Sequence, residues 1–320
     1  MKFPRLLFVL VLLVCGELWI SCGGGEAPAL PTPVPTPLPT PDLPIIMAAG
    51  DISCDSATPL MPCKSLETSD LIRSQFALRD AVVVLPLGDL QYDAGTLAEF
   101  NKNYETTWGR LNQRAHPVPG NHEYLTTGAR GYFDYFASRG VAVGNRNEGW
   151  YQYDVAGWHF IALNSNCEQI GGCNSSSAQY RWLVADLTAN KSKCTVAYMH
   201  YPFLSSGANG NNPQILPMIQ LLYDNSVDIV LAGHDHNYER FFPMTPQGVR
   251  DPVRGLRLFV VGTGGRDQTD FKTQLPSSDF RTKDHFGALR IVMKDGAYDW
   301  QFVSATDNGR IVDNGAGICF

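Results

Sequence analysis

The sequence predicts an α/β layered domain that begins near residue 45. Four apolar runs of strand length end in polar, chemically capable residues, at 45–49, 82–87, 194–199 and 227–232. Helical patterns lie between them, at 69–80, 97–111, 177–188 and 213–224, and Ser176 with Gln179 forms a candidate capping box for the third. This alternation is typical of helices packed on a sheet.

The later part of the chain predicts a different arrangement. Its apolar segments are rich in β-branched and aromatic residues and are joined by short turns, at 151–155, 159–164, 256–261, 288–293 and 298–303. They indicate a second sheet or antiparallel edge strands. Because no internal repeat and no second linker occurs, we expect residues 45–320 to form one domain.

The first 44 residues read as an export signal and a tether. Lys2 and Arg5 precede an apolar run at 6–15, which is too short to span a membrane and fits a signal peptide over residues 1–21. The segment that ends in Cys22 resembles a lipobox, although Trp19 is bulky for that motif. We therefore expect a lipid anchor at Cys22, with a plain secretory signal as the alternative.

Residues 22–44 are rich in Gly, Pro and Thr, with proline at every second position from Pro31 to Pro41. Such a segment forms neither helix nor sheet and favours an extended spacer. The predicted mature protein is therefore a folded body held away from a membrane, or a secreted protein if Cys22 is not acylated.

Six cysteines remain outside the predicted signal and anchor, and an even number in an exported chain indicates disulfides. Many pairings are possible in principle. The closest pairs in sequence, Cys54 with Cys63 and Cys167 with Cys173, are the expected local bridges, which leaves Cys194 with Cys319. The formal net charge is −6 and no Lys/Arg-rich run occurs, so no nucleic-acid surface is indicated.

Five short motifs come after predicted strands or lie in loops between elements. They are Gly50-Asp51, Gly88-Asp89-Leu90-Gln91-Tyr92, Gly120-Asn121-His122-Glu123, His200, and Gly233-His234-Asp235-His236. Ligands of open α/β sheets bind at the carboxyl ends of strands, so we expect these side chains to converge on one crevice. Oxygen and nitrogen donors without a thiolate suit iron, zinc, manganese or magnesium.

Taken in order, the five motifs resemble those of the calcineurin-like metallophosphoesterases, and within them the purple acid phosphatases. The resemblance covers nearly all of residues 45–320. It implies a four-layer α/β/β/α sandwich with two mixed sheets. It also implies two metal ions, ferric iron plus a divalent zinc, iron or manganese ion, that activate a hydroxide for attack on a phosphate ester.

Matching motif to motif implies a role for each residue. The first ion would be held by Asp51, Asp89, Tyr92 and His236, and the second by Asp89, Asn121, His200 and His234. Asp89 would bridge the ions, and His122 would contact the substrate from outside the metal shell as the catalytic residue. Many members of the family have a histidine at the place of Ser53, and here Tyr92 is the compensating ligand.

The expected substrate is a small phosphate monoester. A phosphodiesterase or nucleotide hydrolase of the same fold is one alternative, and a non-catalytic metal-binding surface module is another. No histidine occurs in the segment after His200, where plant-type purple acid phosphatases have further substrate contacts. Substrate preference is therefore expected to depend on the loops at 126–147 and 204–217. The oligomeric state is not predicted.

Overall fold

The structure is a computed structural model that describes residues 43–54, 63–78 and 81–320. The predicted signal peptide, the proposed anchor at Cys22 and all but the last two residues of the tether lie outside the described residues. By its internal contacts the chain divides into two units, Met1–Pro41 and Asp42–Phe320. Within the described ranges, no helix has the length and apolar character needed to cross a membrane.

The described residues form twelve strands and five α-helices. The strands are β1 (Ile45–Ala49), β2 (Val82–Pro86), β3 (Tyr151–Val155), β4 (Trp158–Ala162), β5 (Cys194–Tyr198), β6 (Ile229–Ala232), β7 (Tyr238–Phe241), β8 (Arg257–Val261), β9 (Ser278–Thr282), β10 (Gly287–Lys294), β11 (Ala297–Ser304) and β12 (Ile311–Ile318). The helices are α1 (Ser65–Phe76), α2 (Leu97–Glu99), α3 (Arg130–Ser138), α4 (Ala178–Ala189) and α5 (Leu216–Asp224).

Two mixed sheets are present, as the family resemblance implied. One has five strands in the order β12-β11-β10-β1-β2, and the other has seven in the order β3-β4-β5-β6-β8-β7-β9. β1 and β2 are parallel, and so are β4, β5, β6 and β8. The later strands pair mainly in antiparallel ladders, because short turns can join only antiparallel neighbours.

The sheets pack face to face, with helices on both outer faces. Alternate residues of the seven-stranded sheet, such as Val196 and Leu231, join one apolar core with β1 and β2. Their neighbours Ala197 and Val230 point the other way, into a second core with α4 and α5. This alternation results from the two-residue period of a strand. The result is the α/β/β/α order of layers.

The predicted strands agree with the structure to within two residues at most of their ends, but the helices need correction. α1 is Ser65–Phe76 rather than 69–80, and the last two predicted residues are outside the described part. The capping box of Ser176 and Gln179 is wrong. Ser177 caps α4 by accepting from the amide of Tyr180, whereas the Gln179 side chain bonds the backbone of Asn164.

The helix predicted at 97–111 is broken into three pieces. A three-residue α-turn, Leu97–Glu99, is followed by a π-helical turn, Phe100–Tyr104, and a 3-10 helix, Trp108–Arg114. The side chain of Gln91 accepts a hydrogen bond from the amide of Tyr104 at 3.1 Å. When a side chain bonds a backbone amide that would otherwise bond within the α-helix, the helix changes its winding at that point. The spacing of the apolar residues does not reveal this change.

Two other features were not predicted. Residues 126–147, expected to be a loop, contain α3 (Arg130–Ser138). Its Gly131 lies so close to the carbonyl of Gly95 that a Cβ would be 2.0 Å from it, so a residue unfavourable to helices is retained for packing. The strands β7, β9 and β12 were also not predicted. In β12 the glycines interrupt the alternation of apolar and polar residues that would indicate a strand.

All three expected disulfides are present. They join Cys54 to Cys63, Cys167 to Cys173, and Cys194 to Cys319. The third has a sequence separation of 125 residues and attaches the end of the chain, just past β12, to the start of β5.

Candidate metal centre

Four of the seven predicted ligands lie just beyond the carboxyl ends of strands. Asp51 comes after β1 and Asp89 after β2 in the first sheet, while His200 comes after β5 and His234 after β6 in the second. The strands of each pair are parallel neighbours, so their ends meet at one edge of each sheet. The amide of Gly50 donates to the carbonyl of Val261 at 2.8 Å and joins the two edges.

Three of these residues have a left-handed backbone. The φ angles are 60° for Asp51, 48° for Asp89 and 73° for His234. Such angles are costly for residues other than glycine and persist where the surroundings impose them. Here the carboxylate of Asp51 accepts from the amide of His234 at 2.8 Å, and that of Asp89 accepts from the amide of His122 at 2.9 Å.

The glycines of the motifs are explained by close approach. A Cβ on Gly120 would lie 2.1 Å from Oδ1 of Asp89, and one on Gly88 would lie 2.6 Å from the ring of His200. Gly88 also has a φ of 82°. Side chains at these positions would push the carboxylate and the imidazole out of the site.

One group of polar atoms surrounds the hydroxyl of Tyr92. Its oxygen is 3.0 Å from Oδ1 of Asp51, 3.1 Å from Oδ2 of Asp89 and 3.0 Å from Nε2 of His236. The Tyr92 side chain is buried. These four residues are the ones that the resemblance assigned to the first ion.

A second group surrounds Nε2 of His200. This nitrogen is 3.1 Å from Oδ1 of Asn121, 3.3 Å from Oδ2 of Asp89 and 3.2 Å from Nδ1 of His234. Oδ2 of Asp89 therefore belongs to both groups. The structure thus brings all seven predicted ligands together in two sets that share a single carboxylate oxygen.

The donor atoms fit metal ions. The carbonyl of Leu87 can only accept, so Nδ1 of His200 carries a proton and its Nε2 faces the acceptor oxygens of Asn121 and Asp89. A proton or a cation must lie between such atoms to make the contact favourable. Ligand atoms of Asp89, His200 and His234 all lie within 4.8 Å of one another.

His122 lies beside the two groups without joining them. Its Nδ1 is 2.5 Å from the carbonyl of Asp93, its Nε2 is 3.9 Å from Oδ2 of Asp89, and its ring centroid is 4.2 Å from that of Tyr92. Because the carbonyl fixes a proton on Nδ1, Nε2 is available to take up and deliver a second one.

Comparison with known proteins agrees with this geometry. A model of the calcineurin-like phosphoesterase family matches residues 46–238, which include β2 to β6 and all five motifs. The chain belongs to this family. Purple acid phosphatase 21 of Arabidopsis thaliana is 31% identical to the chain over 301 residues, covering 86% of this chain and 62% of that protein. The chain spans less than two thirds of the length of the curated relatives that it matches.

Solved structures share the fold. A purple acid phosphatase from yellow lupin (Lupinus luteus) seeds has a TM-score of 0.71 at 19% identity, over 86% of this chain and 53% of that one. An anchor protein of the Plasmodium inner membrane complex has a TM-score of 0.63 at 13% identity, over 87% of this chain and 89% of that one. The same fold therefore occurs in a phosphatase and in an anchor protein, and function depends on the residues of the site.

The electrostatics of this phosphoesterase site are those of paired opposite charges. Burial alone would raise the pKa of Asp89, but the positive charge of His200 holds it well below its usual range. Burial alone would lower the pKa of His200, but Asp89 raises it to about 9. Burial and then the charge of His200 lower the pKa of His234 to about 4. A cation that binds here therefore replaces protons.

Two residues beside the first ligand set were missed from the sequence. Asp267 lies 3.4 Å from Nδ1 of His236, and it raises the imidazole pKa together with Asp51 to about 10, against the effect of burial. The guanidinium of Arg266 lies 4.8 Å from the ring centroid of Tyr92. Both residues come after β8 in Gly264-Gly265-Arg266-Asp267, where a polar group after a strand was the only signal.

Glu123 fastens two of the motifs to each other. It is fully buried and accepts from the amides of Leu90 at 2.9 Å, Gln91 at 3.1 Å and Gly120 at 2.7 Å. Burial raises the pKa of Glu123 to about 8, while the three amide donors favour its ionised form. Its contacts are with backbone amides, so it supports the motifs that carry the proposed ligands.

Asp235 has a similar role on the other side of the site. It accepts from the hydroxyl of Ser205 at 2.5 Å and from the amide of Asn209 at 2.8 Å. Glu239 is likewise buried and accepts from the amide of Ser206 at 2.8 Å. The loop that begins after His200 is therefore tied to the strand that comes after the His234 motif.

Proposed function

We propose that the protein is an exported phosphatase that hydrolyses small phosphate monoesters with two metal ions. Membership of the calcineurin-like phosphoesterases supports phosphoester hydrolysis by a dinuclear metal centre. The finer parts of the proposal are the monoester preference, the ligand of each ion, the identity of the ions and the export of the chain.

One observation carries the proposal. The hydroxyl of Tyr92 and Nε2 of His200 lie 3.1 Å and 3.3 Å from the same oxygen of Asp89. Two separate sets of donors that meet at one carboxylate oxygen are the arrangement required to hold two ions a few ångströms apart.

The proposed first ion is ferric, with Asp51, Asp89, Tyr92 and His236 as ligands, because a phenolate favours a highly charged ion. The proposed second ion is divalent zinc, iron or manganese, with Asp89, Asn121, His200 and His234 as ligands. Carboxylate, amide and imidazole ligands suit any of these three.

When bound, two such ions would neutralise the phosphoryl oxygens and lower the pKa of a coordinated water. The residues of this chain do the remaining work. Asp89 fixes the separation of the two ligand sets, and the left-handed backbone of Asp51 and His234 aims their side chains into the site. Nε2 of His122 faces the centre and delivers a proton to the departing oxygen of the substrate.

Export and membrane attachment are proposed from the leader sequence and the cysteines. Three disulfides favour an oxidising compartment. The proposed lipid anchor at Cys22 and the spacer at 22–44 would hold the domain at a membrane. Replacing Cys22 by serine should release the protein from the membrane fraction into the soluble exported fraction. Retention of the Cys22→Ser variant in the membrane would contradict the anchor.

The test of the site is Asp89→Ala. Because Asp89 contributes to both ligand sets, we expect loss of both ions and of turnover of 4-nitrophenyl phosphate. The matched control is Asp186→Asn, which alters a buried carboxylate that pairs with His159 outside the site. The control should lose stability but keep its metal. Full activity of the Asp89→Ala variant would refute the proposed centre.

A non-catalytic metal-binding module is the competing function, since the fold also occurs in a protein described as an anchor. All seven proposed ligands are present and point to one place, which favours the enzyme. Wild-type protein that binds two ions but hydrolyses neither phosphate monoesters nor diesters would favour the module. Faster hydrolysis of diesters than of monoesters would favour the phosphodiesterase alternative.

A further inference from the structure

A cleft with a volume of about 360 Å³ opens beside the proposed second ion. Asn121, a proposed ligand of that ion, lines the cleft together with Tyr201. The ring of Tyr201 lies 4.3 Å from that of His234, centroid to centroid. The cleft therefore begins at the metal centre and leads away from it. A substrate whose phosphoryl group lies on the ions can place its alcohol group there.

The chemistry of the lining is neutral except at one point. Side-chain amides and two tyrosine rings, Tyr124 and Tyr201, form much of the wall. Among the described residues that line the cleft, Glu168 is the one ionisable carboxylate, and none is lysine, arginine or histidine. Amides bind hydroxyl groups, and aromatic faces beside a carboxylate attract cations. An anionic group would find no positively charged side chain in this wall.

Glu168 is held in place from two sides. It lies in the 3-10 turn Cys167–Gln169, and the disulfide of Cys167 with Cys173 closes this segment. Its Oε1 accepts from Nε2 of Gln214 at 3.3 Å, and Asn212 in turn accepts from the amide of Gln214 at 3.0 Å. Glu168 is exposed to solvent at the rim, and it forms no salt bridge with any other residue that the structure describes.

We propose that this cleft binds the alcohol part of the substrate and that Glu168 is a specificity residue. It favours phosphate esters of alcohols that carry an ammonium group, accepts neutral polyhydroxy alcohols, and disfavours alcohols that carry a carboxylate or further phosphates. This inference rests on the proposed phosphatase function, because it concerns which ester reaches the same metal centre.

The expected size of the effect depends on the exposure of Glu168. At low salt, an exposed charge at the rim of a wet cleft changes the binding constant of an ionic group by about threefold. Replacing attraction by repulsion changes it by about tenfold. The effect should appear in KM more than in kcat, because the charge acts equally on bound substrate and transition state. The effect on KM should weaken as the salt concentration is raised, because salt screens an exposed charge.

The experiment compares phosphoethanolamine with phosphoglycolate, whose alcohol groups carry opposite charges. The measured quantity is the ratio of their kcat/KM values. Replacing Glu168 by glutamine keeps the shape of the side chain, and we expect the ratio to fall about tenfold. Glu168→Lys should lower it further and invert the preference. Within one variant, the ratio is independent of metal loading, because loading affects both esters equally. Comparing the ratio between variants removes the difference in intrinsic reactivity of the two esters.

The matched control is Asp295→Asn. Asp295 lies in the turn between β10 and β11, next to the amino end of β1 and so at the opposite edge of the sheet from the metal centre. Its ion pair with Lys193 is exposed, and its loss should leave the ratio unchanged. A ratio that is the same in wild type, Glu168→Gln and Glu168→Lys would overturn the inference.

Failure of the proposed function has a different signature. If the metal-loaded wild type hydrolyses 4-nitrophenyl phosphate, the phosphatase stands, and only the behaviour of the ratio decides the role of Glu168. If it hydrolyses no ester at all, the proposed function fails and this inference fails with it.

Discussion

Asp89 is the residue on which the proposed centre depends most. Its two carboxylate oxygens make different contacts. Oδ1 accepts a hydrogen bond from the amide of His122, while Oδ2 faces both Tyr92 and His200. The left-handed backbone at Asp89 and the glycine opposite it leave room for this arrangement. Elsewhere in the described chain a buried aspartate such as Asp228 serves backbone amides alone.

The proposed role of Tyr92 can be tested by removing its hydroxyl. Tyr92→Phe removes the hydroxyl that contacts three of the proposed ligands but keeps the ring under Arg266. If a ferric ion binds this phenolate, the variant should lose the visible tyrosinate absorption and keep its circular dichroism. Tyr201→Phe is the control, because its ring is also beside the site but is not a proposed ligand. A Tyr92→Phe variant with unchanged colour would contradict the assignment.

Asp267 is expected to orient the imidazole of His236. It lies 3.4 Å from the ring nitrogen of His236 that faces away from Tyr92, and such partners fix the orientation of a histidine ligand. Asp267→Asn should weaken metal binding about 10- to 100-fold in a competition titration against a chelator. Asp270 lies three residues after Asp267, and Asp270→Asn breaks only a surface ion pair with Lys283, so this variant should bind metal like the wild type. Equal affinities in both variants would remove the role given to Asp267.

Among the elements, β5 shows how one strand serves stability and the site separately. Cys194 at its start is bonded to Cys319 at the end of the chain, while His200 lies just past its other end. A cross-link over such a long segment stabilises a domain by about 5 kcal/mol in the chain-entropy model.

The corresponding prediction is that Cys194→Ser with Cys319→Ser lowers the free energy of unfolding by about 5 kcal/mol. The expected readout is an earlier midpoint in denaturant, with the metal content of the folded protein unchanged. Loss of the ions before unfolding would show that the bridge and the site are coupled.

The side chain of His159 connects three elements, β3, β4 and α4. On β4, its ring nitrogens lie 2.7 Å from Asp154 of β3 and 2.9 Å from Asp186 of α4. Burial would lower the pKa of His159, but the hydrogen bonds to Asp186 and Asp154 raise it. A raised pKa stabilises the fold fully below the unfolded value of about 6.5, and this contribution is lost as the pH rises through the native pKa.

His159→Gln should therefore cost the most stability near pH 6, and the difference from wild type should shrink as the pH is raised. Denaturant unfolding of both proteins at several pH values above 5 measures this difference directly. A difference that stays constant with pH would mean that the imidazole is neutral in the folded protein.

For the whole molecule, the buried strands and the place of each motif could be predicted because they depend on local patterns. Apolar runs that end in Gly-Asp or Gly-His mark both the end of a strand and the polar group just beyond it. The disulfides could also be predicted, because close spacing identified two pairs and left only one other.

The features that could not be predicted from the sequence depend on contacts between residues that are distant along the chain. Gln91 changes the winding of the helical segment at 97–111 through an amide of Tyr104, and nothing in the local spacing indicates this. Asp267 and Arg266 reach the site only because β8 lies beside β6 in the folded sheet. The pairing of β7 with β9 has the same origin, since sequence neighbours do not determine it.

The central claim is that two ions share Asp89. The most direct test is the metal content per chain of the purified wild-type protein, measured by elemental analysis together with its visible spectrum. We predict close to two ions per chain, one of them iron, with a tyrosinate absorption. Two colourless divalent ions would refute only the ferric assignment, whereas one ion or none after reconstitution with iron and zinc would contradict the shared centre itself.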